Sequence, residues 1–264
     1  MTNEHNSQIH IPRFHVAHQA FEEADTAFAR ASLAELDKEF PQPEACEPSV
    51  QFLHTLGCPD KYIPLVQQLD TPWQVQTYIN QHFKYDHSNA TRGLVGILET
   101  KGNLAHCFEG AMFAYTLLWL HGWKPSIVLL QAGDNKYGED HNIVPYRYGN
   151  RLGAVAMSAW ETLKGKPPVY PSLRDLVLGG YYFPFTSELD PYKGVWDLVG
   201  YSDKIDLVAK FGTGWMFRDG QNALRDIYDY YARDLMCTHL FNGSRYRYID
   251  EKPGVDDLEG GKER

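Results

Sequence analysis

Ala105-His106-Cys107-Phe108-Glu109-Gly110-Ala111-Met112-Phe113-Ala114-Tyr115-Thr116-Leu117-Leu118-Trp119-Leu120 is the stretch that decides how this chain must be built. It is apolar on nearly every side and leaves no polar stripe for water. A helix made of it must be buried on several sides. Gly122 supplies its stop. Downstream come three strand candidates, at residues 126–132, 142–148 and 152–158. Gly149-Asn150 joins the last two as a tight hairpin turn. The order is a buried helix followed by an antiparallel meander, which predicts an α+β fold.

Working outward, residues 16–40 carry Ala20, Phe21, Ala24, Ala27, Phe28, Ala31 and Leu36 mostly on one helical face, and Pro41 and Pro43 end that helix. Asp70-Thr71-Pro72 is a helix start, with a cap residue just before a proline at the first helical position. That helix runs to about His82. After Pro167-Pro168 the chain turns helical and aromatic, with helices expected at residues 172–182 and 221–241. The charged, glycine-rich residues 250–264 read as a disordered tail. The expected organisation is an N-terminal helical extension (1–68), a core (69–182), an aromatic and helical region packed on it (183–249), and the tail.

The bulk numbers exclude several classes. The 264 residues are 43% hydrophobic, enough for a sizeable core. The net charge is −9 and no Lys/Arg cluster stands out, which argues against a nucleic-acid partner. The first twenty residues hold no apolar run of signal-peptide length, and no stretch approaches a span of about 20 apolar residues. The expectation is a cytoplasmic protein with no membrane partner. Cys46, Cys58, Cys107 and Cys237 fall at irregular spacing, neither a disulfide framework nor a zinc pattern. His15 with His18, or His106 beside Cys107, supplies too few ligands for a metal. Gly212-Thr213-Gly214 lacks the helix and lysine of a phosphate loop. No cofactor or metal is expected.

The chemistry gathers at Cys107. It lies in the first turn of the buried helix, where unpaired N–H groups and the macrodipole favour an anion. A thiolate is the anion a cysteine offers, and a nearby imidazolium favours it further. His141 lies 34 residues on, at the start of a predicted strand. A helix packed on a sheet brings its N-terminus to such a strand end. Cysteine and histidine then form a nucleophile–base pair. Glu109, also in the first turn, complements the helix dipole.

Several motifs resemble the transglutaminase-like branch of the papain-like cysteine proteins. They are Ala105-His106-Cys107-Phe108-Glu109-Gly110-Ala111, then Asp140-His141, then Gly153-Ala154-Val155-Ala156-Met157-Ser158. Pro168-Val169-Tyr170 and Leu173-Arg174-Asp175-Leu176 also resemble a little-characterised bacterial subgroup. The resemblance covers less than half of the chain. It implies a central helix packed on an antiparallel sheet, Cys107 as nucleophile and His141 as its base. The implied substrate is a peptide, amide or thioester.

The chain departs from that family at the third position, where an Asp on the next strand is usual and Ala156 stands here. A two-residue turn at Gly149-Asn150 pairs Tyr148 with Arg151 and puts Ser158 opposite His141, with Ala156 diagonal. Ser158 is the nearest polar substitute. Its hydroxyl either orients the imidazole or caps the strand end. The Cys107 N–H is a natural oxyanion donor. Asn103 is either the second donor or a turn residue. Two functions follow: a cysteine enzyme of hydrolysis or acyl transfer, with a catalytic set of Cys107, His141 and Ser158, or a non-catalytic binding or scaffold protein that keeps the fold.

Overall fold

The computed structural model describes residues 46–132, 140–182, 198–240 and 245–247. The helix expected at residues 16–40 and the tail from residue 250 lie outside them. The chain is α+β. It opens with α1 (Val50–Thr55), α2 (Ile63–Gln68) and α3 (Pro72–His82). α3 starts as the sequence dictates. Pro72 is at its first position, Thr71 accepts from the Gln74 N–H, and the Gln74 side chain answers the Thr71 N–H at 3.1 Å. This reciprocal box satisfies donors that a helix start otherwise leaves open.

β1 (Lys84–Tyr85), α4 (Leu94–Leu98) and β2 (Leu104–Ala105) follow, with β1 and β2 paired in parallel. They lead into α5 (Cys107–Leu120), in which Phe108 to Leu118 and Leu120 are buried. Then come β3 (Val128–Ala132), β4 (His141–Tyr148), β5 (Arg151–Val155) and β6 (Lys166–Tyr170). After α6 (Leu173–Leu176) and a π-helical turn (Val177–Tyr182), the described chain ends with β7 (Leu198–Ser202), α7 (Leu207–Phe211), α8 (Arg225–Arg233), β8 (Met236–His239) and β9 (Arg245–Arg247). β3 to β9 form one antiparallel sheet in the order β6-β5-β4-β3-β7-β8-β9.

Both faces of this sheet are covered. Leu129, Val144, Tyr146, Tyr148, Val155 and Met157 pack with α5, whereas Val128, Leu130, Ile143, Leu152, Ala154 and Ala156 pack with Leu176, Val177 and Tyr181. Two buried faces explain why β3 reads as an apolar run instead of an alternation. Each large side chain so buried contributes about 1.5–3 kcal/mol before entropy is subtracted. The α5 cluster runs from Leu53 to Cys237 and takes in Trp215, Met216 and Ile227, so the C-terminal region shares the core.

Three expectations need correction. Residues 221–241 are not one helix: α8 ends at Arg233, and Met236–His239 is a strand between β7 and β9. Here long-range pairing overrides a helical sequence pattern. Residues 172–182 split into a short α-helix and a π-helical turn. The third meander strand stops at Val155 instead of reaching residue 158. Beyond it, the Gln76 side chain takes the place of a strand. Its Oε1 accepts from the Ala156 N–H at 2.9 Å and its Nε2 donates to the Ala156 carbonyl at 3.0 Å. The hairpin register is as expected, with Tyr148 opposite Arg151 and Gly149 at φ +55°.

Gly110 is where α5 meets the segment after β5. A Cβ there would lie 2.2 Å from the Cβ of Met157. Gly110→Ala gains up to about 1 kcal/mol of helix propensity, but overpacking typically costs about 1–3 kcal/mol and this overlap is severe. The expected outcome is a lower thermal midpoint, read by circular dichroism. A raised midpoint would show that α5 does not rest on Met157.

Candidate active site

The site is built where β2 runs into α5. His106 is the N-cap of α5, with extended backbone, and Cys107 is the first helical residue. The first turn must be satisfied internally because the helix is buried. Glu109 does most of this. Its fully buried carboxylate accepts the His106 N–H at 3.0 Å, the Arg92 N–H at 2.9 Å, and the Arg92 guanidinium at 2.7 Å and 3.1 Å. Arg92 also pairs with Asp86. Burial alone would push the Asp86 carboxyl up, but the Ser88 N–H and hydroxyl and the Arg92 guanidinium reverse this and hold it below its ordinary value.

The Cys107 thiol is half-buried beside the start of β4. Its Sγ lies 3.8 Å from the Asp140 carbonyl oxygen and 3.7 Å from the Asn142 side-chain nitrogen, which donates to it. The imidazoles of His106 and His141 are the groups that lower its pKa. Burial on its own pushes the thiol up, but the two imidazoles outweigh it and hold the thiol well below its ordinary value. For His106, burial pushes downward, and the Cys107 thiolate, Glu109 and the Ala90 carbonyl reverse the sign and raise it. Both shifts run in the direction that favours a thiolate, and protonation of His106 at Nδ1 would release the Phe108 N–H that the neutral ring accepts.

The two histidines are held differently. His106 bonds the Ala90 carbonyl through Nε2 at 2.6 Å, and its Nδ1 accepts the Phe108 N–H at 3.3 Å. Both of its ring nitrogens are therefore tied to main chain. His141 is buried and bonds through Nε2 to the Leu163 carbonyl at 2.8 Å. A carbonyl only accepts, so Nε2 carries the proton and Nδ1 is the ring nitrogen left to accept one.

Ser158 does not orient His141. Its Oγ accepts the Trp160 N–H at 3.1 Å, so it shapes the turn beyond Ala156. The register that would have set it opposite His141 is broken off where Gln76 binds Ala156. The third partner of the site is main chain, supplied at the end of the short 3-10 turn Glu161–Leu163. Asn103 is a turn residue at φ +48°. Its N–H bonds the Thr100 carbonyl and its carbonyl accepts from the Lys84 N–H. Arg92, Asn142 and the Leu163 carbonyl are the members that residue-by-residue reading missed. Only Asn142, a polar residue inside an apolar strand, left a signal in the sequence.

Among the described residues no group of three or more His, Cys, Asp or Glu side chains is placed to hold a metal, and no helix is long and apolar enough to cross a membrane. No family model matches the chain, and no curated protein matches it significantly.

Two substitutions separate the roles. Glu109→Gln removes the buried partner of Arg92. Breaking such a pair typically costs about 3–5 kcal/mol, so urea denaturation should show a loss of that order. A loss under about 1 kcal/mol would mean that water already screens the pair. Ser158→Ala should leave the pH profile of Cys107 alkylation unmoved, because the hydroxyl serves Trp160. A shifted profile would return Ser158 to the site.

Proposed function

We propose that the protein is a transglutaminase-like cysteine enzyme that acts on an amide, ester or thioester carbonyl by hydrolysis or acyl transfer. The observation that carries this is a thiol at the first position of a buried helix that meets the start of the strand carrying His141, through the Asp140 carbonyl and the Asn142 amide, with the neighbouring imidazoles lowering its pKa. Nδ1 of His141 takes the thiol proton, and the imidazolium is held at Nε2 by Leu163. The thiolate attacks the carbonyl carbon, the C–S bond forms, and the oxyanion is met by the Cys107 N–H. As the carbonyl–leaving-group bond breaks, His141 returns its proton to the departing amine, alcohol or thiol. Water or an amine then resolves the acyl-enzyme.

His141 is the better base because only one of its ring nitrogens is committed to main chain. His106, tied at both, acts as cap and electrostatic neighbour. The second reading, a binding or scaffold protein that keeps the fold, is favoured by one observation. A neutral carbonyl, not a carboxylate, faces His141, and it stabilises an imidazolium less.

Alkylation of Cys107 by iodoacetamide across pH 4–10 tests the pair. Burial pushes Cys58 up to about 11 and Cys237 up to about 12, so these thiols stay silent. Cys46 is exposed and is removed as Cys46→Ser. Cys107 should react with an apparent pKa well under the ordinary value of about 8.5. His141→Gln should raise that value by about one unit or more. An ordinary thiol profile in the starting protein, or no change in His141→Gln, would overturn the enzymatic reading.

A further inference from the structure

At the end of β4 away from the thiol, the surface forms an open cleft of about 240 Å³. Three cationic side chains line it: Lys124, Arg147 and Lys204. They come from three segments that backbone pairing holds together. The Ser126 N–H bonds the Pro145 carbonyl at 3.3 Å, which fixes the residues leading into β3 against β4. Arg147 lies two residues on from Pro145, opposite Leu152 of β5. Ile127 and Ile205 exchange two backbone hydrogen bonds of 3.0 Å, which brings Lys204 to the same end of the sheet. Arg147 and His141 are six positions apart on β4 (147 − 141), about 20 Å at the usual rise of a strand. The cleft is therefore separate from the Cys107 site.

None of the three cations has a carboxylate partner among the described residues. In a chain of net charge −9, their grouping is not the by-product of a basic surface. Partial burial, and then the Arg147 guanidinium nearby, push the Lys204 ammonium below its ordinary value. Like charges gathered in a concave surface repel one another and draw in an anion that relieves the repulsion. Asp206 is on the cleft wall, but its carboxylate is committed elsewhere. It caps α7, accepting the Ala209 N–H at 3.0 Å and the Tyr115 hydroxyl at 2.8 Å. With it counted, three positive charges and one negative leave a surplus of two (3 − 1). A phosphate monoester carries about −1.5 to −2 at pH 7, which matches that surplus. A guanidinium grips two phosphate oxygens in its plane, and ammonium groups reach the others as point charges. Pro145 and Leu152 add apolar surface beside the cations. We propose that this cleft binds a small phosphate monoester, with Lys124, Arg147 and Lys204 on the phosphate and Pro145 and Leu152 against its organic part. The volume falls below the roughly 300–1,000 Å³ of sites for drug-sized ligands, so the organic part is small. The site does not rest on the enzymatic reading of Cys107.

Isothermal titration calorimetry on the full chain tests this at about pH 7.5, in low salt and a phosphate-free buffer. The probes are phenyl phosphate, inorganic phosphate and benzoate. Phenyl phosphate should bind once per chain with a Kd below about 1 mM, and benzoate, with a single charge, at least about tenfold more weakly. Arg147→Met and Lys204→Met should each weaken phenyl phosphate about tenfold or more, the scale of one charge-assisted hydrogen bond. Both side chains are exposed and unpaired, so the variants should fold, as circular dichroism would verify. Lys101→Met removes an exposed lysine outside the cleft and controls for net charge; it should leave binding unchanged. Inorganic phosphate binding as tightly as phenyl phosphate would overturn the role of Pro145 and Leu152 and assign the cleft to free phosphate. Saturable binding of neither phosphate, benzoate binding as well as phenyl phosphate, or an equal loss in Lys101→Met and Arg147→Met would overturn the site.

Discussion

The carboxylate of Glu109 is the group on which the site depends. A helix buried on all sides cannot send its first N–H groups or its capping residue to water. Glu109 resolves this by turning back to the His106 N–H while gripping Arg92 through both main chain and guanidinium. A buried ion pair of this kind adds little net stability over an apolar replacement. Its effect is positional. It fixes the register between the 86–92 segment and the start of α5, and so fixes the direction in which Cys107 leaves the helix. His106 is pinned by the same arrangement, since Ala90, its carbonyl partner, lies two residues before Arg92.

The sheet does the complementary work. Because β4 is central and covered on both faces, its first residues are held as firmly as its middle. Asp140, His141 and Asn142 are therefore delivered to the thiol as a fixed tripeptide. Alternation sends successive side chains to opposite sides, so Asn142 reaches Sγ from the α5 side, and His141, opposite Leu130, is seated against Tyr181 and the Leu163 carbonyl. One short strand end thereby presents a hydrogen-bond donor to the sulfur and seats an imidazole on the other face of the sheet.

Much of this was legible in the residues. The apolar run from Ala105 to Leu120 admits one physical solution, a helix enclosed by protein, and Thr71-Pro72 and Gly149-Asn150 name a helix start and a turn by their chemistry. β8 was not legible, because Met236-Cys237-Thr238-His239 continues a helical pattern and becomes a strand only through partners far away in sequence. Arg92 gave no signal, since its meaning lies in a carboxylate seventeen residues on. Ser158 misled because a register drawn from the turn was extended past the point where the Gln76 amide ends the strand. The true partner of His141 was invisible for a simpler reason: a main-chain carbonyl is present at every position and marks none.

That last feature bears on how this protein could change over time. A triad whose third member is a side chain can be dismantled by one nucleotide change and rebuilt by another. Here no substitution at position 163 deletes the acceptor, because all residues carry it. The orientation of His141 is exposed instead to insertions, deletions and prolines in the segment between Ala156 and Lys166, whose path is set by the Trp160 turn and the 3-10 turn after it. Drift in residue identity would leave the imidazole in place, and drift in loop length would not.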